Sequence, residues 1–173
     1  MHQQFFINDQ ELLLRPATFE DLDFQRYLYA DTRSDEMALV DWSDDQKKSF
    51  LNQQFEAQTK HYQIYYTEAV TQIILLDGKM IGRFIRWDTQ EYILIIDIAL
   101  LYEYRNMGIG TILVKDLMND ANSLNLPIVL RVEIFNPAIH LYERLGFIKS
   151  RLLEVYQEMV WTPPQSAFDK NNN

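Results

Sequence analysis

The apolar positions change period along the chain, and each change marks an element. Residues 11–15 (ELLLR) form a short apolar run closed by Pro16, which predicts an opening strand. Thr18-Phe19-Glu20-Asp21 then has a helix start's cap and early acids, with Leu22, Tyr27 and Leu28 as its inner face. Ser43-Asp44-Asp45-Gln46 is a capping-box pattern. It opens a second helix to about residue 59, with Phe50, Leu51 and Phe55 inward. The connection 31–42, with Met37, Leu39 and Trp42, reads as a core plug; lining a cleft is the alternative. Residues 62–66 (YQIYY) suit strand or loop.

Period-two patterning follows. Residues 73–76 and 80–87 are strands around Asp77-Gly78, a hairpin signal. Residues 92–101 are almost continuously apolar, as in a strand covered on both faces at a sheet centre, and Asp97 is the charged exception. Ile109, Ile112, Leu113, Leu117, Ala121 and Leu124 recur at helical spacing, and Pro127 ends the helix. Residues 128–134 alternate, with Arg131 and Glu133 on one face. Asn136-Pro137 caps a short helix that Gly146 stops, and two strands finish the pattern. Residues 92–134 form a right-handed strand–helix–strand crossover, so strands 92–101 and 128–134 run parallel. The fold class is α/β (α+β), a mixed, mostly antiparallel central sheet with helices on both faces. One domain spans 1–162, and the Pro- and Asn-rich residues 163–173 form a flexible tail.

Composition narrows the function classes. The 173 residues are 47% hydrophobic, enough for a real core. The absence of cysteine excludes disulfides, thiolate nucleophiles and cysteine metal sites. His2, His61 and His140 are scattered, so no metal is expected. No targeting or membrane-spanning segment is legible, which points to a cytoplasmic protein without a membrane partner. The net charge of −9 disfavours nucleic acid. It suits a cationic small substrate, although acidity serving solubility is the blander reading.

The chemistry concentrates where the central strand meets its helix. Arg105-Asn106-Met107-Gly108-Ile109-Gly110 joins strand to helix N-terminus, where unpaired N–H groups and a positive dipole end favour an anion such as pyrophosphate. The loop lacks the Gly-Lys-Ser/Thr of a Walker A loop, and Leu113 stands where a dinucleotide fingerprint needs glycine. A ligand-free glycine turn is the plain alternative. The loop fits the R-x-x-G-x-G/A pattern of the GNAT N-acetyltransferases. Asn136-Pro137-Ala138 and Leu141-Tyr142-Glu143-Arg144-Leu145-Gly146-Phe147 match that superfamily's second signature, N-x-x-A then L-Y-x-x-x-G-F. Over residues 11–161 the chain resembles this superfamily, most strongly over 92–147.

The resemblance implies a splayed parallel strand pair and acetyl-CoA as cosubstrate. Backbone groups of Ile98, Ala99 and Leu100 would pair with the pantetheine arm. Arg105, Asn106, Met107, Gly108, Ile109, Gly110 and Thr111 would cradle the pyrophosphate. Asn136 would hold the arm's far side, and Tyr142 would be the general acid for the leaving thiolate. An amine attacking the thioester needs a base and oxyanion donors. Asp97 and Glu133 are the candidate bases. A buried structural carboxylate is the alternative for Asp97, and Arg131 as a neutralising neighbour is the one for Glu133. His140 reads as surface. Two departures stand out. Asn106-Met107 replaces the usual Gly-Arg/Lys, removing a basic group that Lys115 or Lys149 would have to supply, and Tyr102 sits where proline is usual, loosening the strand end. The expected reaction is acetyl transfer to a primary amine of a small molecule or peptide. A CoA-binding module without turnover and a different acyl-CoA are the rivals, and a homodimer is compatible with either.

Overall fold

The computed structural model describes residues 4–164. The strand order is β1-β2-β3-β4-β5-β6-β8-β7, with a parallel β5–β6 pair, so the sheet is mixed as expected. The chain packs as two compact units: 4–87 with 96–109, and 88–95 with 110–164. Strand β5 (Ile93–Leu100) contributes to both. Of the expected tail, residues 165–173 lie outside the described residues.

The first unit opens with a hairpin that the apolar pattern did not reveal. β1 (Gln4–Ile7) pairs antiparallel with β2 (Gln10–Pro16). Asn8 and Asp9 turn it with φ of 49° and 65°, since short polar side chains tolerate the left-handed region. The Asp77-Gly78 turn joins β3 (Val70–Leu76) to β4 (Lys79–Asp88), and the Asp77 carboxylate accepts from the Glu11 N–H at 2.9 Å. At the end of β2, Arg15 donates twice to buried Asp21 (2.6 and 2.7 Å), and the Thr18 N–H donates at 2.7 Å. These bonds hold the Asp21 carboxyl far below its usual range and close a capping box on the 3₁₀ turn Phe19–Asp21 that leads into α1 (Leu22–Thr32).

Helix α1 buries Leu28 and Tyr29, whereas Leu22 and Tyr27, the other expected inner positions, are exposed. Tyr29 meets buried Phe55 of α3 (Asp44–Tyr65), ring centroids 5.8 Å apart. The Ser43–Gln46 capping box forms as read. Helix α3 runs six residues past the expected end and takes in most of the ambiguous aromatic stretch. Successive turns there stack side chains, with His61 and Tyr65 at 4.6 Å, and Tyr66 reaches Trp87 at 5.7 Å. The connection 31–42 holds a short helix, α2 (Ser34–Ala38), and does not plug the core: Leu39 and Trp42 are exposed. Met37 lines a groove of about 440 Å³ with Ala30, Lys47 and Leu51, and Trp42 packs edge-on against Phe50 of α3, ring centroids 5.2 Å apart.

In the second unit, Ile93, Leu94 and Ile95 pair in parallel register with Ile128, Leu130 and, between them, Val129 of β6 (Ile128–Glu133). Helix α4 (Ile109–Leu124) buries Leu113, Val114, Leu117 and Ala121. It stops one step earlier than Pro127 requires. Asn125 turns left-handed (φ 53°), and the Leu126 and Asn125 N–H groups close onto the Ala121 and Asn122 carbonyls. Short helix α5 (Ala138–Arg144) leads to the hairpin of β7 (Ile148–Leu153) and β8 (Tyr156–Trp161).

Candidate active site

Within the first unit, the outgoing half of β5 carries the residues expected to meet a pantetheine arm: Ile98, Ala99 and Leu100, all half-buried. Its neighbour β4 comes unusually close at Gly82, where an added Cβ would overlap the Ala99 carbonyl oxygen and lie 2.7 Å from Leu100 Cδ2. The Leu101 N–H donates to the Ile81 carbonyl at 2.9 Å, and a single 3₁₀ turn (Tyr102–Tyr104) then lifts the chain into the glycine loop.

Asp97 lies beside Arg83 of β4, which is only 4% exposed. Asp97 Oδ2 accepts from Arg83 Nε at 3.1 Å and Nη2 at 2.6 Å, and Gln58 of α3 accepts from the same guanidinium at 3.2 Å. The alternative to a base is therefore present in altered form: the carboxylate is held by a buried guanidinium, not by backbone N–H groups. Sequence reading passed over Arg83, although an arginine within an apolar strand, next to a strand whose one charged residue is Asp97, was a usable signal.

The loop itself is left-handed at Asn106 (φ 60°) and Gly108 (φ 85°). A Cβ at Gly108 would meet nothing nearer than Ile7 Cδ1 at 3.9 Å, so backbone geometry, and not crowding, requires glycine there. Met107 lies between these two residues, and α4 opens at Ile109. The first N–H groups of a helix lack intrahelical partners, which fits the loop to a pyrophosphate. Arg105 is not extended into solvent. Its Nε donates to the Leu100 carbonyl at 3.0 Å, its Nη2 to Asp31 Oδ2 of α1 at 3.3 Å, and its guanidinium lies 5.4 Å from the Tyr102 ring centroid. Asp31 Oδ2 also accepts the Tyr102 N–H at 2.8 Å. Tyr102 thus ties the strand end to α1, contrary to the expected loosening, because it has the N–H that proline lacks.

Within the second unit, Gly110 and Thr111 lie in the first turn of α4. A Cβ at Gly110 would make ordinary contact with Leu141 at 3.4 Å, so alanine is tolerated there. Asn136 Oδ1 accepts the Ala138 N–H at 2.9 Å, capping α5 as read. At the other end of α5, the Phe147 N–H closes onto the Tyr142 carbonyl and the Gly146 N–H onto that of Glu143, with Gly146 at φ 90°. This is a Schellman stop, whose usual apolar contact is the Tyr142–Phe147 ring pair at 5.6 Å. The spacing of tyrosine, glycine and phenylalanine is thus also a helix-termination code, and Tyr142 is only 7% exposed.

Glu133 is exposed at the end of β6, and Arg131 does not neutralise it. Arg131 instead reaches Glu158 of β8 (3.3 Å), which also accepts from Arg151 (2.9 and 3.0 Å) and Ser150 (3.0 Å). Those partners, Arg151 foremost, hold the buried Glu158 carboxyl at about 2 against the opposing effect of burial. Lys149 pairs with Glu143 at 2.8 Å, Lys115 is exposed on α4, and His140 is on the surface. Among the described residues, no group of three acidic or histidine side chains is placed to hold a metal, and no helix is long and apolar enough to cross a membrane.

The profile of the acetyltransferase (GNAT) family matches residues 35–147. The chain belongs to that family. An N-alpha-acetyltransferase of Saccharolobus solfataricus is 41% identical over 66 residues, 36% of this chain and 39% of that protein, so the match spans about two fifths of the curated relative. The PaiA N-acetyltransferase of Thermoplasma acidophilum, solved in complex with coenzyme A, superposes with a TM-score of 0.66 at 14% identity, covering 87% of this chain and 98% of that one. The spermidine N-acetyltransferase of Vibrio cholerae, solved with CoA and spermine, gives 0.61 at 20% identity, covering 87% and 95%. At these identities the two structures establish the GNAT fold.

Proposed function

We propose that this chain transfers an acetyl group from acetyl-CoA to a primary amine of a small molecule or peptide. The reading is carried by the family's arginine–glycine loop, left-handed at Asn106 and Gly108 and leading directly into α4. The backbone of Met107 through Thr111 would hold the pyrophosphate, assisted by Arg105. Ile98, Ala99 and Leu100 would pair with the pantetheine, and Asn136 would contact it through its side chain. Acetyl-CoA supplies a thioester carbonyl when bound.

The chain's own groups then manage two protons. The amine nitrogen bonds to the acetyl carbon as the carbon–sulfur bond breaks. The amine's proton passes to Glu133, directly or through water, and the Tyr142 hydroxyl gives its proton to the departing sulfur. We assign Glu133 the base role ahead of Asp97, whose Oδ2 already accepts twice from Arg83. The net charge of −9 favours a cationic acceptor, and the polyamine and peptide N-terminus of the two named relatives are the first classes to try.

A CoA-binding module without turnover is the second reading. It is favoured by the burial of Tyr142, whose ring packs on Phe147 as part of the helix stop. Thiol release from acetyl-CoA with polyamines, aminoglycosides, amino acids and peptides separates the two. CoA binding with no release for any amine would overturn the enzyme reading. Tyr142→Phe is expected to lower turnover with little change in CoA affinity, and unchanged turnover would remove Tyr142 from the chemistry.

A further inference from the structure

The loop assigned to the phosphates carries less positive charge than its arginine suggests. Arg105 faces Asp31 Oδ2 at 3.3 Å, and Glu103 precedes it in the 3₁₀ turn. Met107 occupies a position where the family commonly has a second basic residue. The Asp31 carboxylate is not there by chance proximity. The Tyr102 N–H donates to the same oxygen at 2.8 Å, and only a residue other than proline can make that bond. The Arg105 Nε bond to the Leu100 carbonyl (3.0 Å) and the Tyr102 ring 5.4 Å away hold the guanidinium from its other sides.

We propose that Asp31 is a positioning residue that restrains Arg105 and neutralises it, setting a deliberately moderate affinity for the phosphates of CoA. The inference rests on the acetyl-CoA reading. A phosphate approaching the loop must either draw Arg105 away from Asp31, leaving that carboxylate uncompensated, or bind beside an arginine whose charge is already neutralised. Both weaken the complex, and both speed departure of the spent CoA, a step that limits many enzymes. The usual proline and second basic residue are both absent, and both absences act in this direction: one removes a cation, the other admits an anion.

Asp31→Asn is the decisive variant, because its amide oxygen still accepts the Tyr102 N–H while the charge is gone. Freeing the Arg105 guanidinium from its carboxylate, so that its charge is offered to a phosphate near the surface, is expected to tighten CoA binding roughly threefold to tenfold. Calorimetric titration with CoA reads this directly. The KM for acetyl-CoA should fall in parallel, and inhibition by product CoA should strengthen. In an Arg105→Gln background the same substitution should change affinity by less than about twofold, because Asp31 acts through Arg105. A carboxylate serving only to brace the strand end gives no tightening on substitution: unchanged binding where asparagine keeps the Tyr102 bond, weaker binding where it does not. Unchanged or weakened binding in Asp31→Asn, or full tightening that persists without Arg105, overturns the inference and leaves the acetyl-CoA reading intact. No CoA binding by the unaltered chain overturns both.

Discussion

Replacing Asp97 by asparagine separates two roles for a carboxylate in the central strand. Arg83 is 4% exposed, and its charge is met by Asp97 Oδ2 at 2.6 and 3.1 Å. Losing one partner of a buried ion pair typically costs about 3–5 kcal/mol, because the remaining charge stays desolvated. Two features lower the cost here. The Asp97 side chain is 23% exposed, so its attraction is partly screened, and Gln58 and Gln25 still accept from the guanidinium at 3.2 and 3.5 Å. Asp97→Asn should therefore destabilise the fold by about 2–3 kcal/mol, read as a lower urea midpoint with an unchanged slope. The pair Asp97→Asn/Arg83→Met removes both charges and should recover most of that loss. If Asp97 only holds Arg83, acetyl transfer recovers in the double variant along with stability. A double variant that folds as well as the parent but remains inactive would show that Asp97 itself handles a proton. A single variant as stable as the parent would refute the ion-pair reasoning.

Two further outcomes follow from single contacts. The depressed Glu158 carboxyl contributes stability in full above about pH 4.5, and that contribution is lost as the pH falls toward about 2. The bound on it is about 3 kcal/mol, and exposure of Arg131 and Arg151 reduces it to about 1–2 kcal/mol. Glu158→Gln should accordingly flatten the fall in urea midpoint between pH 5 and about pH 2, and an unaltered acid limb would contradict the assignment. Gly82→Ala should cost about 1–3 kcal/mol and raise the KM for acetyl-CoA, because its Cβ displaces the Ala99 carbonyl. A variant with wild-type stability and KM would mean that β5 yields at this point without consequence.

Much of the architecture was legible because local rules decide it. The Ser43–Gln46 box, the Asp77-Gly78 turn and the α4 periodicity as far as Ala121 each act over a few residues and appear where they were read, whereas Leu124, the last position of that pattern, is exposed. The same holds for the Asn136 cap and the Gly146 stop. Local reading failed where a contact distant in the chain outweighed local propensity. The end of α3 follows Tyr66 packing on Trp87, and Leu22 and Tyr27 are exposed while Leu28 is buried and Tyr29 packs on Phe55. The β1 hairpin depends on two non-glycine residues adopting positive φ, which apolar periodicity does not report.

By itself the sequence determined the family, the strand–loop–helix order and the positions of both signatures, because these are patterns of spacing along one chain. Only the tertiary structure decided which charged groups of the site pair with one another. Arg83 meets Asp97 across 14 residues, and Arg105 meets Asp31 across 74. Arg131 meets Glu158, and not its strand neighbour Glu133, across 27. An ionic partner is chosen by distance in space and by what burial leaves unsolvated, and neither quantity is carried by residue spacing.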